Sequence, residues 1–262
     1  MKRKPIAVLF FLVSLMATSC SKIDALFNNG EPITEQRNIS QPFDAICMYD
    51  NINVKLAHSD HPHLELTCPK NLIDNIVTEV QNDSLMIWND NDFNWIRSFN
   101  YDIDLTVYYD SLREITYAST GQLNCIDSIK GLSGQTIDST ELGIENNQNR
   151  NFVLRIKEGS GDINLCFDCD VLKTVFSFGT STVTLQGSAG YTEHYMKSYG
   201  TIHAESLNSN IVSIFSESTN DIYVWAQTKL TARIYSIGNV YYKGHPWIEK
   251  AITGEGQIIQ LQ

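Results

Sequence analysis

The chain has 262 residues, of which 42% are hydrophobic and 19% charged; this is enough apolar material for a sizeable core and excludes a disordered chain. Its formal net charge is −11 at pH 7. Nucleic acid and anionic membrane surfaces are therefore excluded as electrostatic partners, because both are bound through lysine and arginine.

Residues 1–19 have the layout of a secretory signal peptide. A basic stretch at 2–4 precedes an apolar run at 6–16 and three small residues at 17–19, the order typical of an exported protein. The apolar run is too short to cross a bilayer, which takes roughly 20 residues. Cys20 follows directly and resembles the lipobox cysteine of bacterial lipoproteins, which implies a lipid on Cys20. The alternative is an ordinary secreted protein with a chance cysteine.

Cleavage before Cys20 removes three positive charges and leaves a mature chain at about −14. Acyl chains on Cys20, rather than a basic patch, would then hold the protein at the membrane. Residues 20–41 lack hydrophobic periodicity and are predicted to form a tether.

Residues 42–111 are predicted to form a β-rich N-terminal part. Short alternating segments bounded by Asp, Asn, His-Pro or Ser predict strands with turns; they are FDAICM, INVKL, LELTC, VTEVQ, SLMIW and YDIDLTVYY. The segment PKNLIDNI at 69–76 is either a single helical turn or a polar loop.

Residues 112–262 carry a repeat that shows in one apolar position per unit. That position recurs every 18 to 21 residues, at Leu123, Leu142, Ile163, Val183, Ile202, Ile222, Val240 and Ile258. A repeat near twenty residues without a helix-length segment predicts a β-solenoid with coils of about 19 residues. Residues 221–237 show two alternating strands separated by a polar corner, which we take as the pattern of each coil.

Glycines recur where one coil passes to the next, at Gly161, Gly179, Gly200, Gly238 and Gly256. A tight bend there favours positive φ and brings stacked chains close together, and glycine tolerates both. Ser177, Ser198 and Ser236 precede three of these glycines by two residues and are expected to hydrogen-bond into the corner.

The order of these elements resembles a known family. The segments PFDAICMYDNINVKL, IDLTVYYDSLREITYASTGQL, GSGDINL, SYGTIHAESL and SIGNVYYKGHPWI are similar to the family called putative auto-transporter adhesin, head GIN domain, over residues 42–262. The resemblance implies a right-handed parallel β-helix in secreted or lipid-anchored envelope proteins of Gram-negative bacteria, without an established activity. It places the protein in the cell envelope, at the outer membrane, with the membrane face left open.

Five cysteines remain once Cys20 is lipidated, at Cys47, Cys68, Cys125, Cys166 and Cys169. An odd number leaves at least one thiol unpaired, so a disulfide-stapled fold is excluded and the pairing stays open. The CFDC motif at 166–169 lacks a second pair at zinc-finger spacing, which favours plain packing or a local disulfide.

Candidate catalytic and metal-binding residues are sparse. His58, His61 and His63 form the densest set of metal-capable side chains, and Pro62 between two of them favours a solvated turn over a metal site. Asp102 and Asp104 share one face of one strand, whereas glycoside hydrolysis needs two acids converging in a cleft. We expect no metal, no cofactor and no enzymatic activity.

The register of the coils predicts a binding surface. If the recurring apolar residues point inward, the residues one and three positions later point outward. In the last coils these outward positions hold His203, Glu205, Tyr223, Trp225, Tyr241 and Lys243; we call this set the aromatic strip. It is a candidate platform for a glycan or for an envelope or host protein. The alternatives are a polysaccharide-active β-helix enzyme and a structural spacer without a ligand.

Overall fold

The structure is a computed structural model that describes residues 29–91, 101–134 and 149–262. Over these residues the protein is all-β, with seventeen strands in one sheet and a single short 3-10 helix, Ile73–Asn75. For the segment that contains this helix the sequence predicted either a single helical turn or a polar loop, and the structure has the turn. No helix in the described ranges is long and apolar enough to cross a membrane.

The N-terminal part contains seven strands. They are β1 Pro32–Asn38, β2 Ala45–Asp50, β3 Asn53–His58, β4 His63–Pro69, β5 Ile76–Gln81, β6 Ser84–Asn89 and β7 Asp104–Tyr109. Strands β2 to β7 confirm the six predicted segments. Strand β1 lies inside the expected tether, so that prediction is wrong for residues 32–38. It pairs antiparallel with β4, and the guanidinium of Arg37 donates to the carbonyl oxygens of Ile73 and Ile76, at 2.8 and 2.5 Å.

Strand pairing in this part is mixed. β5 and β6 form an antiparallel hairpin whose two turn residues, Asn82 and Asp83, have φ of +49° and +59°, as tight hairpins favour. β4 also pairs antiparallel with β7. β2 and β3, in contrast, pair parallel with β6 and β7 on one side. On the other side they pair parallel with two later strands, β8 Glu114–Ser119 and β9 Leu123–Cys125.

Ten strands follow, and every pairing among them is parallel. They are β8 Glu114–Ser119, β9 Leu123–Cys125, β10 Asn151–Gly159, β11 Ile163–Phe176, β12 Thr182–Met196, β13 Thr201–Ser216, β14 Ile222–Ile234, β15 Val240–Lys243, β16 Trp247–Ile252 and β17 Ile258–Gln260.

The predicted apolar ladder is present in this region. Partners in register run from Leu123 through Ile163, Val183, Ile202, Ile222 and Val240 to Ile258. All but Ile258 are fully buried. Leu142 lies outside the described residues, and Leu123 pairs directly with Ile163, so the expected step through Leu142 is absent from the ladder.

The strands differ from the predicted pattern at the bend within each repeat. The sequence predicts two strands separated by a polar corner, whereas β11 to β14 each continue through this bend for 13 to 16 residues. Parallel neighbours on both sides keep the backbone hydrogen-bonded across the bend. The repeat after β14 instead separates into two strands, β15 and β16, and β9 and β10 lie in the same way against the two parts of β11.

The corner glycines are needed mainly because the backbones of successive corners lie close together, and less because of an unusual φ. Of the five, only Gly179 has a left-handed backbone, with φ of +117°. A Cβ on Gly161 would lie 2.2 Å from the carbonyl oxygen of Gly121, and one on Gly238 would lie 2.2 Å from that of Asn220. Successive corners therefore stack so tightly that a side chain would part them.

One hydrophobic cluster runs from Phe43 to Val240 and includes residues of both predicted parts. Its interior also holds a histidine, His194 on β12, whose ring is fully buried. Neither ring nitrogen has a hydrogen-bond partner among the described residues. Burial lowers the pKa of His194 to about 4, so this imidazole is neutral in the folded protein at neutral pH.

Candidate functional site

The aromatic strip is assembled by the parallel register of three strands. Its residues come from β13, β14 and β15, and His203, Tyr223 and Tyr241 occupy paired positions. Trp225 pairs with Lys243 in the same way. All six side chains are half-buried.

The rings of the strip stack on each other. The centroids of His203 and Tyr223 are 4.7 Å apart and those of Tyr223 and Tyr241 are 4.9 Å apart, with 10° between the planes in both pairs. At these separations parallel rings overlap in an offset stack. Both faces of Tyr223 are therefore covered by neighbouring rings, and its edge is the part that faces solvent.

Glu205 departs from the expected alignment. Ala204 pairs with Val224, but the next residue of β14, Trp225, pairs with Asn208. Residues 205–207 therefore form a bulge, and Glu205 does not stand beside Trp225.

The bulge nevertheless ties Glu205 to the rest of the strip. Its Oε1 lies 3.3 Å from Nδ1 of His203, and its backbone oxygen accepts a hydrogen bond from Nζ of Lys243 at 3.2 Å. Partial burial, followed by the charges of Asp221, Tyr241 and Glu205, raises the pKa of Tyr223. The strip is thus a fixed array of ring edges, one carboxylate and one ammonium.

A second row of rings lies on the outward side of the later halves of β12 and β13 and just after the end of β14. Tyr195 and Phe215 stack with centroids 4.6 Å apart, and Phe215 packs against Tyr235 at 4.9 Å. The first two rings line a groove of about 530 Å³. A salt bridge of 2.8 Å between Lys173 and Glu193 borders it.

The groove was not predicted from the sequence, although the alternation of inward and outward residues at 221–237 could have indicated it. Outward positions there include Arg233 and Tyr235, and the same register in earlier repeats leads to Phe215 and Tyr195. Trp247 pairs with Lys229 on β14, and the ammonium nitrogen of Lys229 lies 5.3 Å from the centroid of the Trp247 ring.

A cleft of about 620 Å³ lies at the corner where β2, β8 and β10 end. Its lining includes Asp50, Glu158 and the exposed ring of Phe178. The sequence did not indicate it, because its walls come from segments far apart in the chain. We call it the corner cleft.

Within the described part of the chain, only His58 of the three histidines at 58–63 lies in a group of side chains that could bind a metal ion. His58 approaches Asp60 and Asp110, with one ligand atom of each within 4.8 Å of the others, and all three residues are exposed. His63 instead stacks on Tyr108, with centroids 4.1 Å apart. Three exposed groups of this kind could offer ligand atoms to a cation, but they do not form an enclosed site.

The CFDC motif does not behave as a dithiol pair. Cys169 is buried, with its pKa raised to about 12 by burial, whereas Cys166 is half-buried and its backbone N–H donates to Sγ of Cys125 at 3.0 Å. Alternation along the strand sends residues three apart to opposite faces. All five described cysteines are free thiols. Cys20 lies outside the described residues.

Solved structures of bacterial proteins share this fold. An adhesin (described as putative) from Bacteroides fragilis NCTC 9343 superposes with a TM-score of 0.73 at 20% identity, covering 88% of this chain and 97% of that one. A protein from Parabacteroides distasonis ATCC 8503, described as a putative lipid binding protein, gives 0.61 at 22% identity, covering 89% and 98%. A putative adhesin from Parabacteroides merdae ATCC 43184 gives 0.55 at 18% identity, covering 90% and 98%.

No protein of curated function matches the chain. A family model does match, over residues 42–246, which include every residue of the aromatic strip. The family is described as an adhesin rather than as an enzyme, which points to the cell surface or envelope. The chain belongs to the family described as putative auto-transporter adhesin, head GIN domain.

Proposed function

We propose that this protein is a non-enzymatic binding protein of the cell envelope, whose aromatic strip docks a protein partner. On this proposal the parallel repeats form a right-handed parallel β-helix that serves as a rigid support. The observation that carries the proposal is the in-register stacking of His203, Tyr223 and Tyr241. Side chains held in this way lose little conformational entropy when a partner binds.

The stacking favours a protein partner over a sugar ring on the strip. A pyranose ring packs against an open aromatic face, but the faces of Tyr223 are already covered within the chain. Ring edges beside the ammonium of Lys243 and the carboxylate of Glu205 suit the mixed apolar and polar surface of a protein.

A direct binding measurement tests the strip. The immobilised full chain is exposed to purified envelope and host surface proteins, and the affinity of each bound protein is measured by surface plasmon resonance. We expect the double variant Tyr223→Ala, Trp225→Ala to weaken binding at least about tenfold, since truncated aromatic anchors commonly cost that much. Tyr235→Ala is the control, because Tyr235 is an exposed aromatic residue outside the strip. Equal affinity of the double variant and the wild type would contradict the proposal.

We further propose that lipid on Cys20 holds the protein at the outer membrane. The support is the sequence order of basic, apolar and small residues before Cys20. Each buried methylene of an acyl chain contributes roughly 0.8 kcal/mol. Cys20→Ala should therefore move the protein from the membrane fraction to the soluble fraction, and continued membrane fractionation of the variant would refute the anchor.

A further inference from the structure

The floor of the corner cleft is formed by residues of successive corners, whose backbones stack on each other. Strand pairing sets Ser119 beside both Asp50 and Gly159, and the N–H of Thr180 donates to the carbonyl oxygen of Gly159 at 2.8 Å, which brings in the next corner. A Cβ on Gly159 would lie 2.0 Å from the carbonyl oxygen of Ser119. Gly159 therefore leaves no room for a side chain between the stacked corners, and these corners line a space of about 620 Å³.

One wall of the cleft is polar and held in place. Asp50 has a left-handed backbone, with φ of +58°, and its carbonyl oxygen accepts hydrogen bonds from the Ser119 hydroxyl at 2.6 Å and the Thr120 N–H at 2.7 Å. Its carboxylate accepts from the N–H of Asn89 at 2.9 Å. The side chains of Asn89 and Asn51 are themselves joined by a hydrogen bond of 3.0 Å.

The opposite side of the cleft offers an open aromatic ring. Phe178 is 62% exposed, and within the described ranges no other ring stacks on it. Tyr199, 61% exposed, follows at the next corner, where its N–H donates to the carbonyl oxygen of Gly179 at 3.2 Å. These rings therefore differ from Tyr223, whose faces are covered.

The charge of the cleft selects among ligands. Among the residues that the structure describes, its lining contains the carboxylates of Asp50 and Glu158 and no lysine or arginine. An acidic polysaccharide or a phosphate would be repelled. Ionised carboxylates accept hydrogen bonds only, and amides both accept and donate, so this wall suits hydroxyl groups, while an open ring suits the apolar face of a sugar.

We propose that the corner cleft is a binding subsite for a neutral glycan, with Phe178 as the stacking platform and Asp50, Asn51 and Glu158 as hydroxyl acceptors. The proposal rests on the binding function proposed above but uses a different surface, so each can fail without the other. Tyr199 extends the platform toward the following corner for a longer glycan.

Calorimetric titration of the full chain tests the subsite. The probes are the neutral hexasaccharides cellohexaose, maltohexaose and mannohexaose, the acidic hexagalacturonate, and hexalysine as a cationic peptide. We expect at least one neutral hexasaccharide to bind, hexagalacturonate not to bind, and Phe178→Ala to weaken the neutral sugar at least about tenfold. Asp50→Asn, which keeps a residue that tolerates the left-handed backbone, should weaken it by a smaller factor.

Two controls separate this subsite from the strip. Ile237→Ala removes an exposed side chain from the equivalent Ser-X-Gly corner position and should leave sugar binding unchanged. The double variant Tyr223→Ala, Trp225→Ala should also bind the sugar normally. The proposal is overturned if no neutral hexasaccharide binds, if only hexalysine binds, or if Phe178→Ala binds as tightly as the wild type.

Discussion

Outward side chains on the strands and side chains at the corners have different neighbours, although both face the same solvent. On the strands, parallel register places His203, Tyr223 and Tyr241 above one another, and their rings cover each other. At the corners, Phe178 and Tyr199 keep more than half of their surface open. Strand rings are therefore held in place by one another, whereas corner rings leave most of their surface open to solvent.

The largest expected effect comes from adding a side chain to a stacked corner. In Gly238→Ala the new Cβ would lie 2.2 Å from the carbonyl oxygen of Asn220, so the backbone must move. We expect the free energy of unfolding to fall by about 3 kcal/mol or more, measured by urea denaturation. Ile237→Ala, the exposed neighbour, is the control and should change it by less than about 0.5 kcal/mol. Similar values for the two variants would show that the corners are loosely packed.

The second effect concerns the interior beneath the strands. His194→Leu removes a buried imidazole without hydrogen-bond partners, and we expect the free energy of unfolding at pH 7 to rise by about 1 to 3 kcal/mol. Denaturant titration of both proteins measures this difference. A less stable variant would contradict the idea that this imidazole is an unfavourable core residue.

The lowered pKa of His194 predicts that the free energy of unfolding depends on pH. Burial lowers its pKa from the ordinary 6.5 to about 4 in the folded protein, so below pH 6.5 the unfolded chain binds a proton that the folded chain does not. The resulting loss of stability is absent well above pH 6.5 and grows as the pH falls to about 4, to roughly 3 kcal/mol in total. Denaturation at pH 7.5, 6, 5 and 4.5 should show the wild type losing more stability than His194→Leu. Parallel curves would contradict the assignment to His194.

The smallest expected effect is the difference in stability between removing a stacked ring on a strand, Tyr223, and removing an open ring at a corner, Phe178. Tyr223→Ala removes the two stacking contacts of Tyr223, with His203 and with Tyr241, and should lower the free energy of unfolding by about 1 to 2 kcal/mol. Phe178→Ala removes an open ring and should cost less than about 0.5 kcal/mol. Equal losses in denaturation experiments would mean that ring stacking on the strands adds nothing beyond burial.

The apolar ladder could be predicted because its signal is local: an alternating pattern that returns about every twenty residues. Strand β1 could not, because it is polar and mostly exposed and is held by its pairing with β4 and by the hydrogen bonds of Arg37. The step through Leu142 failed because spacing alone cannot tell which repeats are direct neighbours.

The membership of the aromatic strip followed from the same alternation, but its geometry did not. Counting residues cannot locate a bulge: it aligns Glu205 with Trp225, whereas Trp225 pairs with Asn208. Nor does counting reveal that the rings face each other rather than a ligand. The corner cleft could not be predicted for another reason: Asp50 and Phe178 line one cleft through the pairings of β2 with β8, β8 with β10 and β10 with β11.

The bulge at residues 205–207 lets one repeat be longer than the next without changing the pairing of the strands that follow. The ladder advances 20 residues from Ile202 to Ile222 and 18 from Ile222 to Val240, yet both steps stay in register. Extra chain is accommodated at the exposed Ser206 without shifting the strands that follow. A foreign peptide inserted after Ser206 would be carried on the outside of the molecule, which makes this bulge a natural point for engineered display.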